Sequence, residues 1–285
     1  MVRLLRSKTI RRITVLVIGS ALILALWAFW WEPSSLDVVE QTISVKRWHV
    51  DHEGLRIAVL SDLHVGAPHR DLASLQELVS ITNKQTPDLV VILGDLVIQG
   101  VVGGRFVPPE PIAKELARLR APLGVVAVLG NHDWWFDGER VRRALSTEGI
   151  TVLNDQNFRV THKDRSFWLM GLDDLWTRGN HLKATLASIR DDDPIIALAH
   201  NPDIFPEMPP RVTLTLAGHT HGGQVNFPII GRPIVPSRFD QRFAYGLIEE
   251  NGRKLFVTGG VGTSILPIRF RVKPEVVILT MIGTE

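Results

Sequence analysis

Residues 13–31 form an uncharged apolar run of nineteen residues behind a basic leader, long enough as a helix to cross a bilayer core of ~30 Å. Trp27, Trp30 and Trp31 stand at its far end, where aromatic side chains meet the membrane–water interface. Beyond it the pattern changes to short apolar runs alternating with amphipathic ones. Residues 55–60 are apolar and β-branched, bounded by Gly54 and Ser61 and too short for an ordinary helix, so a buried strand is expected. Residues 71–85 place Leu72, Leu75, Leu78, Val79 and Thr82 on one helical face and stop before Pro87. Strands are then expected at 88–93 and 124–129, a Gly- and Pro-rich loop at 101–111, and helices at 111–120 and 139–148. Runs at 151–153, 158–161 and 167–171 read as strands of a second sheet, 181–190 as a helix, and 194–199 and 212–217 as buried strands. Further strands joined by Gly-rich turns occupy 243–281. The alternation implies two mostly buried sheets with helices outside, an α/β architecture.

Charge adds orientation to the first run. Arg3, Arg6, Lys8, Arg11 and Arg12 precede it, whereas Glu32, Asp37 and Glu40 follow. The positive-inside rule then leaves the N-terminus in the cytoplasm and the main domain outside, making a single-pass protein of a bacterial cytoplasmic (inner) membrane. Bulky Trp27–Trp31 occupy the place where a signal peptide would carry small residues for cleavage, so an uncleaved anchor is expected. The organisation is a leader and anchor at 1–32, a linker and first strand at 33–53 (the strand at 42–48), and one catalytic domain at 54–285. The chain has no cysteine and a net charge of only +2, with five basic residues in the leader alone, so thiolate metal sites are excluded and nucleic acid is not the expected partner.

Candidate chemistry collects where the strands end. Five strand-like runs each deliver polar ligand types: Asp62 and His64, Asp95, Asn131 and His132, His200, then His219 and His221. Open α/β sheets gather ligands outside the carboxyl ends of their strands, where residues far apart in sequence meet. Two residues apart in extended chain, Asp62 and His64 would point the same way and converge on one cation.

The motifs Asp62-x-His64, Gly94-Asp95, Gly130-Asn131-His132-Asp133, His200 and Gly218-His219-x-His221 resemble the calcineurin-like metallophosphoesterases, over nearly everything from Leu55 onward. Ala199-His200-Asn201-Pro202-Asp203, the run from Gly218 to Gln224, and the run from Thr258 to Thr263 narrow the resemblance to membrane-anchored or exported bacterial phosphodiesterases, UDP-2,3-diacylglucosamine pyrophosphatases of lipid A biosynthesis among them. The resemblance implies a four-layer αββα sandwich of two mixed sheets with a dinuclear centre. One divalent ion would be held by Asp62, His64, Asp95 and His221, the other by Asp95, Asn131, His200 and His219. Mixed imidazole, carboxylate and amide donors suit Mn first, with Fe, Zn or Co also possible. Two such ions lower the pKa of a bridging water and clamp a phosphate, so a phosphodiester or pyrophosphate would be hydrolysed without a covalent enzyme intermediate.

By the same resemblance His132 stabilises the transition state and donates a proton to the leaving oxygen. Many relatives orient that histidine with an aspartate three residues after the bridging one. This chain has Ile98 there, which leaves Asp133 or a backbone carbonyl to fix the imidazole tautomer. His69, Arg70 and Arg105 are candidate phosphate contacts. Trp134 and Trp135 are candidates for a lipid-facing lip, with residues 265–268 opposite. The expected substrate is a phospholipid or lipid-linked envelope phosphoester reached from the anchor. A soluble-substrate phosphodiesterase or protein phosphatase parked at the membrane is the alternative, and a non-catalytic binding module the least favoured.

Overall fold

The computed structural model describes residues 2–284. The side chains of Arg3 and Arg6 in the basic leader lie outside the described residues. Helix α1 (Val2–Leu26) continues through a π-helical turn (Trp27–Trp31) into a last turn (Glu32–Ser34), and Lys8–Ser34 is long and apolar enough to cross a membrane.

Two six-stranded mixed sheets follow. The first runs β1 (Asp37–Val45), β12 (Glu275–Gly283), β2 (Leu55–Leu60), β3 (Leu89–Ile92), β4 (Val125–Ala127), β5 (Thr151–Val152). The second runs β10 (Gly246–Glu250), β11 (Arg253–Val257), β9 (Leu214–Ala217), β8 (Ile195–Leu198), β7 (Arg165–Gly171), β6 (Gln156–His162). Strands β2, β3, β4 and β5 are parallel, as are β7, β8, β9 and β11, so the ligand-bearing ends of each set lie at one edge.

Burial on both faces explains why these strands read as unbroken apolar runs rather than alternating ones. Ile57 and Val59 of β2 enter the core between the sheets with Leu169, Ile196 and Leu216. Ala58 and Leu60 face outward onto α2 (Leu72–Lys84), α3 (Pro109–Leu116) and α4 (Asn131–Thr147) through Leu75, Leu78, Ile112 and Val141. Helix α2 begins where expected because the Asp71 carboxylate accepts from the Ser74 N–H at 2.9 Å, a side-chain cap. The outer face of the second sheet is covered more thinly, by α5 (Leu182–Ala187) and the 3₁₀ turns Pro202–Glu207 and Asp240–Phe243.

Several boundaries differ from the sequence expectation, among them α3, expected at 111–120 and found at Pro109–Leu116, and α5, expected at 181–190 and found at Leu182–Ala187. Strand β1 starts at Asp37 instead of 42, because its whole length pairs in parallel with β12, from Asp37 opposite Glu275 to Val45 opposite Gly283. Residues 151–152 pair with β4 in the first sheet and not in the second. Helix α4 starts at Asn131, eight residues before 139, with a kink at Asp137. Its first turn is set by Asp133, whose carboxylate accepts from the Gly130 N–H at 3.0 Å.

Candidate metal centre

Three strand ends, those of β2, β3 and β9, turn sharply to present their ligands. Asp62, His64, Asp95, His219 and His221 all hold left-handed backbone, with φ of 52, 41, 55, 68 and 51°. Non-glycine residues rarely adopt that conformation, and where they do the surroundings must hold them. Here the Asp62 N–H donates to Gly94 O and the His64 N–H to Asp95 O, both at 3.0 Å. Gly218 N donates to His200 O at 2.9 Å within the second sheet, and the His219 N–H donates to Asp62 Oδ2 at 3.0 Å, which joins the two sheets' ligand loops into one rim. A Cβ on Gly130 would run into the Asp95 carboxylate, so only glycine allows that approach.

The side chains converge as two half-sites sharing one oxygen. His221 Nε2 lies 3.4 Å from Asp62 Oδ1 and 3.2 Å from His64 Nε2. His200 Nε2 lies 3.1 Å from both His219 Nδ1 and Asn131 Oδ1. Between them, Asp95 Oδ2 is 3.6 Å from His64 Nε2 and 3.3 Å from His200 Nε2. Two adjacent donors of one ion, each at ~2.0–2.2 Å and roughly at right angles, lie ~3 Å apart, so these spacings fit metal coordination. Imidazole nitrogens 3.1–3.2 Å apart can share one cation or, without it, one proton. The His200 Nδ1–H donates to Leu93 O at 2.7 Å, which directs Nε2 inward.

Electrostatics follow from burial and from Asp95. Burial drives His64 down to about 3 and holds His219 and His221 well below the usual imidazole range, leaving neutral rings. Burial also lifts Asp62 to about 6. His200 goes the other way: burial opposes its charge, yet the Asp95 carboxylate lifts it to about 10. Asp95 is correspondingly held well below the carboxylate range, against its own burial, by His200 above all. Among protein groups alone, one proton therefore sits on the nitrogen a cation would take.

His132 lies beside the first half-site. Its backbone N–H donates to Asp95 Oδ1 at 2.9 Å, and its ring meets the His64 ring edge-on at 4.7 Å. Burial lowers its pKa, so the ring is neutral at pH 7. Its Nδ1 is buried without a hydrogen-bond partner among the described residues. Asp133 does not supply one, because its carboxylate accepts from the backbone N–H groups of Asp95, Leu96, Val97 and Gly130. Ile98 packs with Ala67 and Val101 in a small apolar cluster.

The remaining sequence candidates divide. Trp135, 54% exposed, stands with its ring 4.9 Å from that of His132. Trp134 is half-buried under the Arg178 guanidinium, 4.6 Å from its ring. Arg105 is exposed on its loop and has no side-chain partner among the described residues. His69 and Arg70 belong to the anchor junction instead of the phosphate site. The His69 ring meets Trp30 at 5.0 Å. Arg70 is buried, donating to Val261 O at 2.9 Å and to Pro33 O and Ser35 O at 2.6 Å. Its Nε and Nη2 are committed before a substrate arrives.

Two neighbours escaped the sequence reading. Trp176 sets its ring edge-on to His219 at 4.3 Å. Asp174, fully buried, holds that loop by accepting from the N–H groups of Trp176 and Thr177 and from the Thr177 hydroxyl. The available signal was Asp173-Asp174-Leu175-Trp176 lying directly after β7, at the same edge as the other ligand loops.

A family model described as calcineurin-like phosphoesterase matches residues 55–223. The chain is 30% identical over 262 residues to the uncharacterized metallophosphoesterase YkuE of Bacillus subtilis, covering 91% of this chain and 90% of that one. It is 33% identical over 231 residues to the phosphodiesterase YaeI of Escherichia coli, covering 80% and 82%. It is also 31% identical over 280 residues to a transmembrane protein with metallophosphoesterase domain from Danio rerio, covering 93% of this chain but 62% of that longer protein.

Proposed function

The chain belongs to the calcineurin-like phosphoesterases, and from that premise we propose that it is a membrane-anchored phosphodiesterase acting on a lipid-linked phosphodiester or pyrophosphate. Metal-dependent hydrolysis of a phosphoric ester comes with the family. A two-ion centre is supported by the sharing of Asp95 Oδ2 between the His64 and His200 half-sites. In this reading Asp62, His64, Asp95 and His221 hold one divalent ion, Asp95, Asn131, His200 and His219 the other, and manganese is the first choice for a donor set without thiolate. The chemistry available from such a pair is a lowered water pKa and neutralisation of phosphoryl charge.

The residues around the ions do the rest. Asp95 accepts from the His132 N–H, so the bridging carboxylate and the acid are held by one hydrogen bond. To hand a proton to the leaving oxygen, His132 must be in its imidazolium form, whose population, with the pKa lowered, rises as pH falls. Trp135 and Trp176 flank opposite half-sites, beside His132 and His219, and bound the approach of the ester.

Support for a lipid substrate comes from the apolar span and from Trp27, Trp30 and Trp31, all exposed where the helix meets the domain. An anchored enzyme meets membrane substrates at high effective concentration. The charge asymmetry around the span favours an extracytoplasmic domain, hence phospholipids or other envelope phosphoesters. Hydrolysis of UDP-2,3-diacylglucosamine in lipid A biosynthesis requires the opposite orientation, and a reporter fused after Glu285 separates the two. The direct test is turnover by full-length protein in vesicles, comparing a phospholipid phosphodiester with bis(p-nitrophenyl) phosphate. Manganese-dependent hydrolysis abolished by chelator, with the lipid preferred, is expected. Metal-independent turnover would contradict the metal centre, and preference for soluble esters would contradict the lipid reading.

A further inference from the structure

A groove of about 580 Å³ separates the end of the anchor from the domain. One wall is apolar and belongs to the membrane helix: Ile23, Leu24 and Trp27. The other carries Arg232, Arg271 and Lys273. The junction around it is built. Glu32 accepts from Trp27 Nε1 and from the Val272 N–H, both at 2.6 Å, and the Arg269 N–H donates to Ala28 O at 2.9 Å.

Charge accounting shows which groups remain for a ligand. Glu32 is satisfied by those two donors. Glu275 accepts from Tyr245 Oη at 2.6 Å and from Thr258 and Gly259. Asp37 pairs with Lys273 at 2.9 Å. Arg232 spends only Nε, on Gly222 O at 2.8 Å. Arg271 is exposed and has no hydrogen-bond or ion-pair partner among the described residues. Glu32 and Glu275 keep their charge but have their oxygens engaged by protein donors, so the groups left to hydrogen-bond a ligand are cationic, Arg271 and the Arg232 Nη groups, and they share the groove with an apolar helix wall.

Depth identifies the occupant. Trp27–Trp31 mark the interface of the leaflet nearest the domain, which puts Ile23 and Leu24 among acyl chains and the cations at headgroup level. Ile229, Ile230 and Ile234 bracket Arg232 in sequence and are all exposed, apolar side chains that protein does not cover. The geometry points to a binding site for one anionic glycerophospholipid of the surrounding leaflet, its phosphate on Arg271 and the Arg232 Nη groups, and an acyl chain along Ile23 and Leu24. This inference rests on the apolar span lying in a bilayer and is independent of hydrolysis. The site also adjoins the metal centre, since Gly222, which accepts from Arg232, directly follows His221.

Native mass spectrometry of the full chain released from micelles holding equal phosphatidylglycerol and phosphatidylcholine, with matched acyl chains, tests it. One phosphatidylglycerol per chain is expected, retained about tenfold over phosphatidylcholine, and Arg271→Glu should remove that preference. Ile23→Trp, which fills the apolar wall without altering charge or the domain, should reduce retention of both lipids. Excess glycerol phosphate, a headgroup without chains, should not displace the lipid. Equal retention of the two lipids by the natural chain, unchanged preference in Arg271→Glu, unchanged retention in Ile23→Trp, or displacement by glycerol phosphate would each overturn the site.

Discussion

Asp62, His64, Asp95, His219 and His221 reach the metal centre through left-handed backbone, at roughly 1–2 kcal/mol per residue. Strain of that kind persists only where the surroundings over-determine it, and here it aims ligands. Sequence reasoning brought Asp62 and His64 together by alternation in extended chain. The structure brings them together by two positive-φ turns, which no hydropathy pattern encodes. His132 is separable from the ligands: His132→Asn should leave metal content unchanged while turnover falls by ~10²–10⁴, the range for a lost general acid. Metal analysis beside kinetics reads both, and loss of an ion in that variant would make His132 a ligand. His200 gives a pH signature. Raised to about 10 beside Asp95, its ring must release a proton when Nε2 takes a cation. Calorimetry near pH 7 in two buffers of different ionisation heat should report about one proton released on metal loading, and none would contradict the assignment. In the chelated protein the stabilisation from the Asp95–His200 pair is fully present between the unfolded values of 3.8 and 6.5, and fades as pH climbs through about 10.

Helix α4 shows how an element can be legible in its middle and hidden at its start. Residues 139–148 carry a recognisable pattern, but Asn131 to Phe136 show no apolar 3.6 period, because their turn is held by the Asp133 carboxylate. Asp133→Ala would strand buried N–H groups of Asp95, Leu96, Val97 and Gly130. At ~1–3 kcal/mol per orphaned donor, with partial relaxation, the variant should lose at least ~3 kcal/mol in denaturant unfolding and bind metal more weakly. A loss below ~1 kcal/mol would mean that the turn is held by something else. The parallel strands β2, β3, β4, β8 and β9 were legible because burial on both faces makes them continuous apolar runs. Sheet membership of residues 151–152 was not, since two residues carry no pattern that distinguishes one sheet from another. The Asp174–Trp176 loop was missed for a related reason: its turn chemistry lies in polar contacts to backbone, not in periodicity.

At the scale of the molecule, the seven proposed ligands were legible because each stands at the end of a buried strand, and parallel strands must bring those ends to one edge. The N-terminal helix long and apolar enough to cross a membrane was equally legible from length and composition. Its docking was not. Residues 33–40 read as a linker, whereas Arg70 binds the carbonyls of Pro33, Ser35 and Val261, and fully buried Arg269 binds those of Gly259, Gly260, Gly262 and Val272. Arginine usually reads as surface or substrate contact, so nothing in sequence marks these two as clamps between anchor and active-site loops. Because Val261 N–H and Gly262 N–H donate to Ser61 O and Asp62 O, the clamps and the metal loops form one continuous structure. All of this converges on Asp95, the one carboxylate placed between both half-sites. Replacing it with asparagine keeps its shape and removes the negative charge that offsets two neighbouring dications. Metal analysis of Asp95→Asn beside turnover on a generic phosphodiester is therefore the most direct measurement. Fewer than two ions bound, with activity lost alongside, is the predicted result; two tightly held ions and full activity would contradict the shared-carboxylate centre.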